Sequence, residues 1–191
     1  MQTKKATSYG GQSVWVIDPT HTNVAFSIDK FFFFKVKGGF VDVTGTLLLD
    51  EEDVCRSSVQ AKIKGRSIKT GNKRRDAHLC AADFLDVIQY PDILFQSSQV
   101  KPGTDRDTIT VVGELTVKGK SREVVLNVDA VDRSCSPQGE EVIYYTAMTE
   151  LDRHDFGIKY GRGAIGRKLK VVINVQALKQ AQVNPGYEPV H

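Results

Sequence analysis

The chain has 191 residues, enough for one ordinary domain or one large all-β barrel. Hydrophobic residues make up 40% and charged residues 26%, which excludes a disordered or low-complexity chain. A net charge of +3, from 26 basic against 23 acidic side chains, is too mild and too mixed to specify a nucleic-acid partner.

Residues 1–13 carry two lysines with no apolar stretch behind them, so they read as a flexible lead rather than a secretory signal. No later segment approaches the roughly 18 apolar residues of a membrane span. The expectation is a cytoplasmic protein that does not span a membrane. Its widely spaced cysteines, Cys55, Cys80 and Cys135, are expected to stay unpaired, because no C-x-x-C pair is present.

Val14 to Asp18 reads as a short strand and Pro19-Thr20 as a turn. Val24, Phe26 and Ile28 then share a face opposite Ala25, Ser27 and Asp29. Phe31 to Phe34 breaks the alternation with four consecutive aromatics. Such a run is either buried on both faces or placed at the mouth of an apolar cavity. After Gly38-Gly39 the residues Val41, Val43, Gly45, Leu47 and Leu49 share a face, and Asp50 to Asp53 reads as a solvated acidic loop. Val59, Ala61 and Ile63 face inward from the next strand.

Asn72 to Phe95 is the one stretch that reads as helix. Asn72 or Thr70 can cap its start, Asp83 can cap a second short turn, and Pro91 closes the segment. Alternation then resumes. Ile93 and Phe95 begin one strand; Ile109, Val111, Gly113, Leu115 and Val117 line the next. Lys118-Gly119-Lys120 turns it into Val124, Leu126, Val128 and Ala130. Ile143, Tyr145, Ala147, Thr149 and Leu151 follow, then a turn at Gly161 to Gly163, and Leu169 to Ala177 as the last strand. About eight strands near ten residues long favour an antiparallel barrel, since closure removes exposed edges, with the helical segment over one open end. Small residues at Ala25, Ala61, Gly113, Ala147 and Ala177 leave room inside.

Sequence motifs of hydrolases, metalloproteases, phosphate loops and dinucleotide folds are lacking, so no cofactor is expected. Asp76 and His78 are the best acid–base candidates, but at i and i+2 on a helix they do not face each other. Asp76 fits better as a partner of a strand-borne base or of the helix start. His21, His78 and His154 lack metal-ligand spacing. The cluster Arg66, Lys69, Lys73, Arg74 and Arg75 reads as a solvated face, or as an anion site beside the helix N-terminus.

Together these pieces resemble the YceI-like family of lipocalin-like polyisoprenoid-binding proteins. The motifs are Trp15-x-Ile17-Asp18-Pro19-x-His21-Thr22-x-Val24-x-Phe26, Gly39-Phe40 and Gly45. The central ones are Arg75-Asp76-x-His78-Leu79, Asp83-Phe84-x-Asp86 and Tyr90-Pro91-x-Ile93-x-Phe95-x-Ser97. Gly113-x-Leu115-Thr116-x-Lys118-Gly119 and Arg153-x-Asp155-Phe156-Gly157 complete the set. Lys30 stands where the family commonly has a His, and Gly166-Arg167 where it usually has Gly-Asp.

The resemblance implies an all-β protein, an extended eight-stranded antiparallel lipocalin-like barrel over residues 14–178, with a helical segment around 72–88 capping one end and a polar tail over 179–191. It also implies a non-enzymatic protein that binds, transports or stores a polyisoprenoid lipid such as a polyprenyl quinone. Phe26, Phe40, Phe84, Phe95 and Phe156 are then core or tunnel-lining aromatics, with Phe32 and Phe34 also at the ligand. Arg75, Asp76 and His78 hold the helix or meet the ligand's polar end. An enzyme of isoprenoid or quinone metabolism acting at the barrel mouth through Asp76 and His78 is the rival reading. Transient membrane contact and homodimerisation are left open.

Overall fold

A strand that alternates apolar and polar residues buries one face only, and a sheet can bury that face by curling on itself. In the computed structural model, which describes residues 11–31, 33–105 and 107–180, the sheet does this. Its strands are β1 (Gln12–Ile17), β2 (Asn23–Lys30), β3 (Phe34–Phe40), β4 (Val43–Asp50), β5 (Ser58–Lys64) and β6 (Ile68–Lys69). After the helix come β7 (Asp92–Pro102), β8 (Thr108–Val117), β9 (Lys120–Cys135), β10 (Glu141–Asp152) and β11 (Ile165–Lys179). The order β1-β4-β5-β7-β8-β9-β10-β11 closes when β1 pairs with β11, giving an eight-strand antiparallel barrel.

Three staves of this barrel are broken, which the sequence pattern did not convey. β1 and β2 lie end to end along β11, with Ile17 opposite Ala177 and Asn23 opposite Asn174. Between them Pro19 cannot donate to a ladder, so Asp18 to Thr22 bulges out. The Asp18 amide and the buried Thr22 hydroxyl both donate to the Gln176 carbonyl, at 2.8 and 3.3 Å, and bridge the gap. β3 and β4 make the second broken stave, interrupted at Val41-Asp42; Val41, expected to share a face with the buried Val43, is 54% exposed there. The third is β5 with β6, joined by a 3-10 turn over Gly65–Ser67.

The helical stretch is shorter than its sequence pattern. α1 spans Lys73–Cys80, and Asn72 caps it by accepting the Arg75 amide at 3.0 Å. From Ala81 to Gln89 the chain folds into turns instead, with Asp86 in the left-handed region at φ 53°. The second short turn expected at Asp83 is present, but the Asp83 carboxylate meets His78 rather than capping it. The turns bury Phe84 and Val87 against the barrel end, and Lys118 Nζ pins them by donating to the Ala82 carbonyl at 2.5 Å.

The opposite end is filled by buried side chains, with Val54 of the β4–β5 connection packed against the cluster around Val100. Trp15 shares the inward face with Ile17 and is fully buried with Ile143 and Ala177, behind Leu47, Leu49 and Tyr145. Residues 1–10 and 181–191 lie outside the described residues; of the expected lead Gly11, Gln12 and Ser13 are seen, the last two in β1.

Candidate functional site: the barrel cavity

Inward-facing rows from every stave surround a cavity of about 830 Å³ that runs from the helical lid to the Trp15 end. Its wall is aliphatic and aromatic, with Ala61 and Ala147 among the linings that leave the space open. Ala177 packs under Trp15 instead, so its small size serves the closed end. Two glycines let aromatic rings lie flat on the wall. A Cβ at Gly38 would stand 2.7 Å from the Phe26 ring, and one at Gly113 would stand 2.6 Å from the Phe95 ring.

Among the described residues the charged linings are all cationic, Lys30, Arg74, Arg75 and Arg153, with no Asp or Glu beside them. Lys30, Arg74 and Arg75 gather at the lid end. Arg75 is committed to Thr70, donating from Nε to the hydroxyl at 2.7 Å and from Nη2 to the carbonyl at 2.8 Å. Asp76 does not line the cavity. It accepts the amide and the hydroxyl of the same Thr70, so Arg75 and Asp76 together fasten α1 to the end of β6. Of the basic cluster, Arg66, Lys69 and Lys73 are exposed to solvent, Arg74 reaches the cavity rim and Arg75 anchors the helix.

His78 lines the cavity under the lid. Its Nε2 lies 3.1 Å from the Asp83 carboxylate, and its ring packs edge-on against Phe84 and Tyr160, at centroid distances of 5.0 and 4.9 Å. Phe84 and Tyr160 are themselves 5.1 Å apart. This aromatic trio forms the inner surface of the lid. The carboxylate near the imidazole is Asp83, not Asp76.

Of the other aromatics singled out in the sequence, Phe26, Phe40, Phe95 and Phe156 line the cavity with Phe84. Phe34 does not. It pairs with Lys30 at the end of the β2–β3 hairpin, one step beyond the lining pair Ile28 and Val36, and is 67% exposed. Phe32 lies outside the described residues.

Arg153 and Tyr160 are the site residues that sequence reasoning missed. Arg153 is buried at the cavity wall and donates to four backbone carbonyls: Gly166 at 2.8 Å, Ile158 at 2.9 Å, Tyr160 at 2.7 Å and Ile165 at 3.1 Å. Burial lowers its pKa from the ordinary value, yet a guanidinium keeps its charge under such a shift. It ties the 158–166 segment, and with it Tyr160, to the barrel. His154 beside it has its pKa lowered by burial first and then by the neighbouring arginines. Among the described residues, His, Cys, Asp and Glu side chains form no cluster of three suited to a metal ion. No helix among them is long and apolar enough to cross a membrane.

Residues 15–177 match the YceI-like domain. Protein YceI of Escherichia coli O157:H7 is 30% identical over 160 residues, covering 84% of this chain and 83% of that protein. Burkholderia cenocepacia BcnA shares the fold, with a TM-score of 0.75 at 20% identity over 84% of this chain and 98% of its own. So does a polyisoprenoid binding domain from Saccharophagus degradans implicated in plant cell wall breakdown, with a TM-score of 0.65 at 12% identity over 87% and 98% of the two chains.

Proposed function

The chain belongs to the YceI-like family, and from that premise we propose that it is a non-enzymatic binding protein holding a long polyisoprenoid chain in its barrel. The observation that carries this is the cavity itself, about 830 Å³ of apolar space between a helical lid and a plugged far end. The ligand class is taken from the polyisoprenoid binding domain whose fold this chain shares. Physically, a linear hydrocarbon gains about 0.8 kcal/mol per buried CH₂ and asks of its site only an apolar tube.

A polyprenyl quinone suits the two ends. Its tail fills the tube, and its carbonyl oxygens meet Lys30 and Arg74 at the rim, where donors are plentiful and carboxylates are lacking from the lining. The rival reading, catalysis at the mouth, draws little support from the geometry. Asp76 is held by Thr70, and His78 is held by Asp83 and two aromatic rings. Carriage of the lipid, rather than its conversion, is the role we favour.

The test is organic extraction and mass spectrometry of protein purified from its natural host without detergent. A polyprenyl species in near-stoichiometric amount is the expected result. A protein that yields no lipid and also fails to take up added prenyl quinones defeats the proposal. His78→Ala separates the readings further: binding persists if the protein is a carrier, and no turnover is lost.

A further inference from the structure

We propose that the tip of the β2–β3 hairpin docks the barrel mouth onto an anionic bilayer surface. The tip carries Phe31, Phe33 and Phe34 at 53%, 89% and 67% exposure, a concentration of aromatic surface that water disfavours. Phe31 is also in the left-handed region at φ 49°, where a bulky residue is strained and Asn or Gly would sit more comfortably. Solvation and backbone both argue against aromatics here, so their presence calls for an apolar environment outside the protein.

Charge and position decide what that environment is. Lys30 stands with its Nζ 5.4 Å from the Phe31 ring centroid, and Lys35 and Lys37 are exposed along β3 behind the tip. Asp29, opposite Lys35, is the acidic residue of the adjoining pair rows. A second copy of the chain would bring like-charged lysines face to face, whereas an anionic lipid surface pairs with all of them. Aromatic rings at the acyl boundary with lysines at the headgroups are the arrangement that interfacial binding uses. The tip is also at the opening, because Lys30 lines the cavity and the Phe31 amide donates to the Ala164 carbonyl at 2.8 Å, beside the Tyr160 segment of the lid. Docking here sets the mouth against the bilayer. The inference stands on the hairpin alone and does not require the cavity's occupant to be known.

The test is co-sedimentation with phosphatidylcholine vesicles, with and without about a quarter of phosphatidylglycerol, using the parent and a Phe31→Asn/Phe33→Ser variant. The parent is expected to bind the anionic vesicles and to bind the neutral ones more weakly. The variant should lose roughly tenfold or more in vesicle affinity. Its Tm should not fall, because Asn tolerates the left-handed backbone, and its uptake of a prenyl quinone in detergent-free buffer should be unchanged. Equal sedimentation of parent and variant, or a parent that binds neither vesicle, overturns the proposal. So does a parent that dimerises through this tip, with the same substitutions dissolving the dimer while vesicle binding stays at zero.

Discussion

The ring of Phe95 on β7 lies over Gly113 on β8, so close that a methyl group at position 113 would stand 2.6 Å from its Cζ and 2.5 Å from the Gln96 carbonyl. The glycine is the reason a phenyl ring can lie along the cavity wall instead of projecting across it. Gly113→Ala must therefore move the ring inward or spread two paired strands. The expected outcome is a loss of about 1–3 kcal/mol in stability, as overpacking costs elsewhere, together with reduced capacity for the longest prenyl chains. Denaturant unfolding and a chain-length series of prenyl ligands check both parts. A variant that keeps parental stability would show that the strands give way easily.

The second prediction concerns the lid. Asp76 and Arg75 both act on Thr70, so removing one carboxylate frees the Thr70 amide and hydroxyl and leaves Arg75 to hold α1 alone. Asp76→Ala should destabilise the fold by about 1–3 kcal/mol, the penalty for polar groups left without partners. It should also speed exchange of a bound prenyl probe, because the Leu85 and Val87 amides tie the Phe84 turn to the Leu79 and Cys80 carbonyls of α1. Asp76→Asn, which keeps an acceptor oxygen, should restore most of both. If the two variants exchange the probe at the parental rate, the helix is not the gate.

The third prediction follows from Asp50. It sits buried where β4 ends, accepting the Asp53 and Glu52 amides at 2.9 and 3.0 Å and the Arg56 guanidinium. The Asp53 amide first, then the Glu52 amide and Arg56, hold its pKa below the ordinary 3.8. Asp18 is likewise held low, chiefly by its hydrogen bond with His21. A depressed folded-state pKa means that the stabilisation is fully present above the ordinary value and is lost as pH falls through the lowered one. Stability should hold from neutral pH down to about 4 and then drop steeply below it. Asp50→Asn should be weaker at neutral pH but show a shallower acid limb. Thermal unfolding across the acid range reads this directly; parallel limbs for the parent and Asp50→Asn would remove Asp50 from the account.

The same residue marks where sequence reading stops. Alternation alone gave the inward rows, because parity on a strand decides which face a side chain takes. The Asn72 cap and the position of the helix were also readable, since they depend on local hydrogen bonding. Asp50 was not, because in four consecutive acids nothing local says which one turns inward; the amides of Glu52 and Asp53 decide it. Phe34 has the parity of a lining residue, and its pair partner Lys30 does line the cavity, yet Phe34 stands at the rim with its ring 67% exposed. Val41 falls in a stave break. Arg153 was the least legible, since its partners are carbonyls on either side of the Gly161 to Gly163 turn, two of them in β11.

That turn supplies the last prediction. Arg153 donates to the carbonyls of Ile158, Tyr160, Ile165 and Gly166, and a methionine of similar length would leave all four unserved, the Ile158 carbonyl in a buried place and the others partly buried. Each orphaned buried acceptor costs about 1–3 kcal/mol before relaxation, so Arg153→Met should lose at least about 3 kcal/mol despite its apolar surroundings. Arg153→Lys keeps the charge but cannot match the planar fork, and should recover only part of the loss. The substitution also releases Tyr160 from its contacts with His78 and Phe84, so probe exchange should accelerate even in Arg153→Lys, where the fold survives. Near-parental stability for Arg153→Met would mean that the loop re-forms its own hydrogen bonds, and that the guanidinium serves the cavity rather than the scaffold.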